Sequence, residues 1–155
     1  MDRNRTPDEC SGASIVLAQT LVTISAAIIM ALGLMHLAYT YFSDKLHPRN
    51  SGLLVLLTTT SPVISRETSM WKAWIGFNAS HSVGAILFGA VFGNLALQQP
   101  TLLFHSYFLG FTGLIVLGAY LVMAKLYWFI RPLQAISLSL LLYVAGFAAN
   151  IYSLV

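Results

Sequence analysis

Charge is what this sequence has least of. Only 8% of its 155 residues are Asp, Glu, Lys or Arg, against 57% hydrophobic, and its mean hydropathy is +0.77. Domains that fold in water carry about 25% charged residues, so the composition excludes an ordinary soluble fold. Acid is scarcest of all. The five carboxylates, Asp2, Asp8, Glu9, Asp44 and Glu67, lie outside the long apolar runs, which excludes a paired acid and base or a proton relay at membrane depth. The single cysteine, Cys10, cannot form an internal disulfide and reads as a free thiol on a polar tail. No phosphate-cradling glycine motif is present.

What the chain has instead is four long apolar runs, at about 15–42, 71–97, 102–124 and 133–155, with no Asp, Glu, Lys or Arg in their interiors. A helix needs roughly 20 apolar residues to cross a ~30 Å hydrocarbon core. A buried charge there costs about 2.5 to 3.5 kcal/mol on insertion scales, so four uncharged runs of this length predict four transmembrane helices. A β-barrel would show alternating segments of about ten residues, and none is visible. The expected fold is therefore all-α: an integral membrane four-helix bundle, antiparallel and up-down, forming a single membrane domain over 1–155. The first run is too long for the core of a cleavable signal peptide and is read as retained.

Basic residues set the expected orientation. Arg3 and Arg5 fall on the side of the N-terminus, whereas Lys45, Arg49, Arg66, Lys72, Lys125 and Arg131 fall on the other. Cytoplasmic loops collect Lys and Arg, which places the 43–70 loop and the 125–131 turn in the cytoplasm and both termini outside. That basic rim suits anionic lipid headgroups, at about 1 kcal/mol per well-placed residue, and needs no nucleic acid to explain it. Trp71, Trp74 and Trp128 lie at run ends on the same side, with Tyr39, Tyr41 and Tyr127, and read as an interfacial belt. Within the inner loop, Leu53–Leu57 is too short to span and is followed by Thr58, Thr59, Thr60, Ser61 and Pro62, which predicts a short interfacial or re-entrant helix broken at the proline. Ser69 is placed to cap the second span. Short connections at 98–101 and around Arg131 and Pro132 predict hairpins.

Small residues recur within the second and third runs. Ser82, Ala85, Gly89 and Gly93 share one helical stripe, as expected where helices meet in lipid through small side chains. The densest polar cluster inside any run is Asn78, Ser80, His81 and Ser82. Asn78, His81 and Ser82 are three and four apart and share a face. An amide and an imidazole in hydrocarbon are costly unless paired or wet, so that face should point inward. His81 lies ~10 Å along the axis from Trp74, and His36 about 9 Å from Phe42, at 1.5 Å per residue, which puts the two histidines at similar depth in the inner leaflet.

Three readings fit that pair. The first is a hydrogen-bonded network tying the helices together. The second is a small-molecule site in which Asn78, His81, Ser82 and His36 meet the head group of a lipid, quinone or isoprenoid. The third is axial ligation of a b-type haem by His36 and His81. His105 reads as interfacial and His47 as a loop residue, and neither has metal-ligand spacing with another His, Cys, Asp or Glu. Asn150 is expected to bond across the bundle. The serines beside His81 have no orienting acid, so no catalytic residue is assigned. A transporter of this size would also lack the repeats that form a site.

The stretch Trp74-Ile75-Gly76-Phe77-Asn78-Ala79-Ser80-His81-Ser82-Val83-Gly84, preceded by Met70-Trp71-Lys72-Ala73 and joined later by Tyr127-Trp128-Phe129, resembles a family of small uncharacterised bacterial four-helix membrane proteins. The resemblance implies a four-span bundle in a bacterial inner membrane and brings no activity with it. The functional expectation is a non-enzymatic protein: a subunit of a larger membrane complex, a homo-oligomer, or a bundle holding a lipid- or quinone-like ligand in the inner leaflet. The alternative is a small membrane redox protein or enzyme using His36 and His81.

Overall fold

The structure is a computed structural model that describes residues 7–152. Among the described residues every regular element is helical, as lipid demands of segments that must satisfy their own backbone groups. The elements are α1 (Pro7–Phe42), a 3₁₀ turn (Asp44–Leu46), α2 (Ser51–Thr59), α3 (Met70–Gln98), α4 (Pro100–His105), α5 (Tyr107–Tyr127) and α6 (Ile130–Tyr152). Four helices are long and apolar enough to cross a membrane, over Ser14–Phe42, Met70–Gln98, Tyr107–Tyr127 and Ile130–Ile151. The shortest has 21 residues, and 21 residues rise roughly 31 Å, enough for the hydrocarbon core. Large apolar side chains face outward along these helices, among them Phe77 (71% exposed), Ile115 (68%) and Leu141 (66%). Each would gain about 1.5 to 3 kcal/mol by leaving water. The chain supplies no cover for them, and lipid does.

The helix ends differ from the apolar runs in three places. α1 begins at Pro7 rather than near 15, because a proline is tolerated in a first turn whose N–H groups have no helical partner. The third run is interrupted at Ser106, whose backbone is extended (φ −91°, ψ 103°) and whose Oγ accepts from the Leu109 N–H at 3.3 Å, capping α5. The turn expected at Arg131 and Pro132 lies instead at Trp128 and Phe129, and Pro132 sits inside the first turn of α6. Ser69 does cap α3, with its Oγ accepting from the Lys72 N–H at 3.3 Å. The readings that rest on Arg3, Arg5 and the side chains of Asp8, Glu9 and Cys10 fall outside the described residues.

The chain divides into two compact units, one of Met1–Met30 with Leu87–Val155 and one of Ala31–Ile86. In the first, the buried residues of α6, Ile136, Ser139, Tyr143, Gly146 and Asn150, alternate three and four apart, the spacing of a seam between neighbouring helices. Ser25 and Ser139, both fully buried, bridge α1 and α6. Each hydroxyl reaches the other residue's carbonyl, at 2.8 and 3.0 Å. A Cβ on Gly89 would fall 2.6 Å from the Ala26 carbonyl oxygen and collide with Met30, so backbones touch there and only glycine fits. Phe92 stacks on Phe88 and meets Tyr143 edge-on, with ring centroids 4.5 and 5.9 Å apart.

In the second unit, the lower part of α1 packs on the start of α3 through Gly33. A Cβ there would lie 2.9 Å from the Ser82 carbonyl oxygen and 3.0 Å from the Ala85 Cβ. Ser82 and Ala85 of the small-residue stripe thus face α1 within the second unit, and Gly89 and Gly93 face it within the first. α2 has no buried residue and is capped by Asn50, whose side chain accepts from the Gly52 N–H at 2.9 Å. After it the chain returns to α3 through a bond from the Met70 N–H to the Thr60 carbonyl at 2.8 Å.

Candidate functional site

The polar patch of the second unit is built on two helices. α1 contributes His36, and α3 contributes Asn78 with His81 and Ser82 one turn further on. His36 Nε2 lies 2.9 Å from Asn78 Oδ1. The Asn78 amide nitrogen donates to the Trp74 carbonyl at 2.8 Å, which fixes the amide with its oxygen toward His36. That oxygen can only accept, so His36 donates and its Nε2 carries the proton. His81 meets the His36 ring edge to face, with centroids 5.8 Å apart and planes at 86°. Asn78 is buried and both imidazoles are half-buried. Ser82 is fully buried but donates to the Asn78 carbonyl of its own helix at 2.8 Å, so its hydroxyl is engaged locally.

The sequence-derived set is therefore brought together around one contact. His36, Asn78 and His81 form the cluster, and Ser82 lies behind it as packing. Ser80, on the opposite side of the turn, is exposed and donates to the Phe77 carbonyl at 3.0 Å. The small faces explain how two long helices come close enough for the bond. Gly33, one turn before His36, admits the backbone of Ser82.

A haem between the two imidazoles does not fit this arrangement. His36 Nε2 is committed to Asn78, so ligating iron there would break the contact that orients the ring. The Gly33 contact with Ser82 and Ala85 also closes the gap between the helices one turn away, where a porphyrin would have to extend. Among the described residues no three His, Cys, Asp or Glu side chains come together as a metal site.

Beyond the patch, at the ends of α1 and α3, lies an aromatic and basic rim. Trp74 donates its indole N–H to the Leu46 carbonyl at 3.3 Å, and Trp71 meets His47 edge-on at 4.9 Å. His47 Nδ1 is 3.5 Å from Asp44 Oδ1. Lys45 Nζ sits 3.9 Å over the Tyr39 ring, a cation–π contact. Arg49, Arg66 and Lys72 are exposed in the same unit. Lys125 ends α5, Arg131 lies in the first turn of α6, and Trp128 closes α5 with its N–H on the Ala124 carbonyl. His105 ends α4, where its Nδ1 donates to the Thr101 carbonyl at 3.0 Å.

Sequence reasoning missed the Ser25–Ser139 bridge. Its signal was the spacing: both serines sit in register with small or buried neighbours, Ala18 and Val22 on α1 and Ile136 and Tyr143 on α6. Comparison with protein families, curated proteins and solved structures finds no match for the chain.

Proposed function

We propose that this protein is a non-enzymatic, four-span bundle of the bacterial inner membrane, antiparallel and with both termini outside, that holds the polar head of a lipid- or quinone-like molecule in the inner leaflet. The observation that carries the reading is the edge-to-face pair of half-buried imidazoles, His36 and His81, oriented by Asn78 within otherwise apolar helices. With Nε2 committed to Asn78, Nδ1 is the His36 ring nitrogen left to meet a ligand. An apolar surround with a few convergent polar atoms is the usual build of a small-molecule site. Lys45, Arg49, Arg66 and Lys72 in the second unit, and Lys125 and Arg131 at helix ends of the first, suit anionic headgroups. A redox or enzymatic role for the two histidines has less support, since among the described residues no carboxylate is bonded to the patch and haem does not fit it.

The test is native purification in mild detergent, followed by mass spectrometry of extracted lipids and quinones from wild type and His81→Ala. One compound enriched over the bulk membrane in wild type, and lost from a variant that melts at an unchanged temperature, is the expected result. Bulk composition in both samples would sink the reading.

A second reading, membership in a homo-oligomer or larger complex, is favoured by Gly76, Ser80 and Gly84. These recur four apart on α3, all are exposed, and nothing lies within 4 Å of a Cβ on Gly76. Small-xxx-small faces support close helix association in lipid. Blue native gels of Gly76→Leu and Gly84→Leu test it: a shift to a smaller species is expected, and identical migration rejects it.

A further inference from the structure

The break in the third apolar run opens a groove that the His36 patch does not touch. It lies entirely within the first unit, between the start of α5 and the end of α6, and measures about 690 Å³, within the range of small-molecule sites. Its walls change character along its length. Eight residues separate Ser106 from Leu114 on α5, and seven separate Tyr143 from Asn150 on α6, so the groove runs roughly 10 to 12 Å along the helices at 1.5 Å per residue. Toward the middle of the spans its lining is Phe111, Leu114, Val144 and Phe147, while His105, Ser106 and Asn150 line it near the span ends, its mouth. The mouth coincides with the ends of the candidate spans, which start at Tyr107 and finish at Ile151.

Gly110 makes the groove floor, and a Cβ there would come 3.0 Å from the Phe147 ring. Phe147 is itself held between Phe104 and Tyr143, with centroids at 5.1 and 4.9 Å. The Tyr143 hydroxyl is engaged by the carbonyls of Leu109 and Gly110, at 3.4 and 3.2 Å, so the deep end presents hydrocarbon and ring faces. Among the described residues no Asp, Glu, Lys or Arg lines the groove, which disfavours a charged head group there. The polarity of the mouth goes further. His105 Nδ1 donates to the Thr101 carbonyl, and a neutral imidazole with Nδ1–H presents a lone pair at Nε2. In that tautomer the atom accepts a hydrogen bond, while the Ser106 hydroxyl and the Asn150 amide beside it carry donors, so the mouth matches a hydroxyl, which both donates and accepts.

The geometry points to a binding site for a single-chain amphiphile with an uncharged hydroxyl head, a monoacylglycerol or long-chain alcohol, with its chain between α5 and α6 and its hydroxyl donating to His105. A fatty acid, whose carboxylate is charged, is the wrong chemistry for the mouth, and a quinone head, whose carbonyls only accept, would leave the His105 acceptor unmatched.

The test uses the full chain in phosphatidylcholine nanodiscs with a monoacylglycerol carrying a diazirine in its chain, photolysed and mapped by peptide mass spectrometry. Labelling should saturate and concentrate on residues 104–114 and 143–151. Unlabelled monoolein should compete, while oleic acid and a short-chain ubiquinone should not. Ala148→Phe and Val144→Phe, which fill the groove from two positions, should abolish the labelling, whereas Ile115→Phe on the lipid-facing side of α5 should leave it intact. If one filling variant does not fold, the other decides. Labelling that rises in proportion to probe and spreads over all exposed helix faces, or that survives both filling variants, means bulk lipid contact only and overturns the proposal. Equal competition by the quinone overturns the hydroxyl assignment. None of these outcomes depends on the His36 patch.

Discussion

A single amide decides how the two central histidines can behave. Asn78 donates to Trp74 and accepts from His36, so replacing it with Ala leaves the His36 Nε2–H facing a hole inside the helix contact. The expected loss is about 1 to 2 kcal/mol, given the cost of an unpaired buried donor and the modest worth of interhelical bonds in lipid. Ser82→Ala should cost less, because the bond it removes runs to the serine's own helix. Equilibrium unfolding in mixed micelles would rank the two, and an equal loss would contradict the assignment of the helix tie to Asn78. Glycine gives a second contrast. Gly89→Ala collides with Met30 and should destabilise by about 1 to 3 kcal/mol, whereas a Cβ on Gly118 meets nothing within 4 Å. Gly118→Ala should be neutral or slightly stabilising, since alanine is the better helix former.

At the scale of elements, the four spanning helices were legible because lipid imposes a length and a lack of charge that can be counted along the chain. The shared face of Asn78, His81 and Ser82 and the similar depth of His36 were legible too, since helical spacing and depth are arithmetic on a helix, but that the two histidines meet was not. The break at Ser106 was not. Leu102 to Ala124 reads as continuous in composition, and it is the Ser106 hydroxyl, capping the Leu109 N–H, that marks where α4 ends and α5 starts. Ser25 and Ser139 were equally opaque, because which serine finds which carbonyl depends on how α1 and α6 meet. The Ser106 cap is testable: Ser106→Ala removes the side-chain acceptor and should cost about 0.5 to 2 kcal/mol. Thermal unfolding in detergent measures this directly, and no change in stability would show that the break is set by Pro100 and the connection before it.

For the whole molecule, orientation and ligand are joined, because the proposed head-group site belongs to the leaflet beside the basic rim. With the 43–70 loop in the cytoplasm, a phosphatase reporter fused after Gln99 should be active outside, and a fluorescent reporter that folds only in the cytoplasm should be bright after Glu67. The reverse pattern would move the His36 patch to the outer leaflet. The most direct measurement is ¹⁵N NMR of histidine-labelled protein in nanodiscs, before and after its co-purified small molecules are stripped and then restored. The account predicts that the His36 ring keeps a protonated Nε2, fixed by Asn78, while the His81 ring resonances move on stripping and return on restoration. His36 and His81 resonances that are unchanged throughout would contradict it and leave the cluster as a helix tie alone.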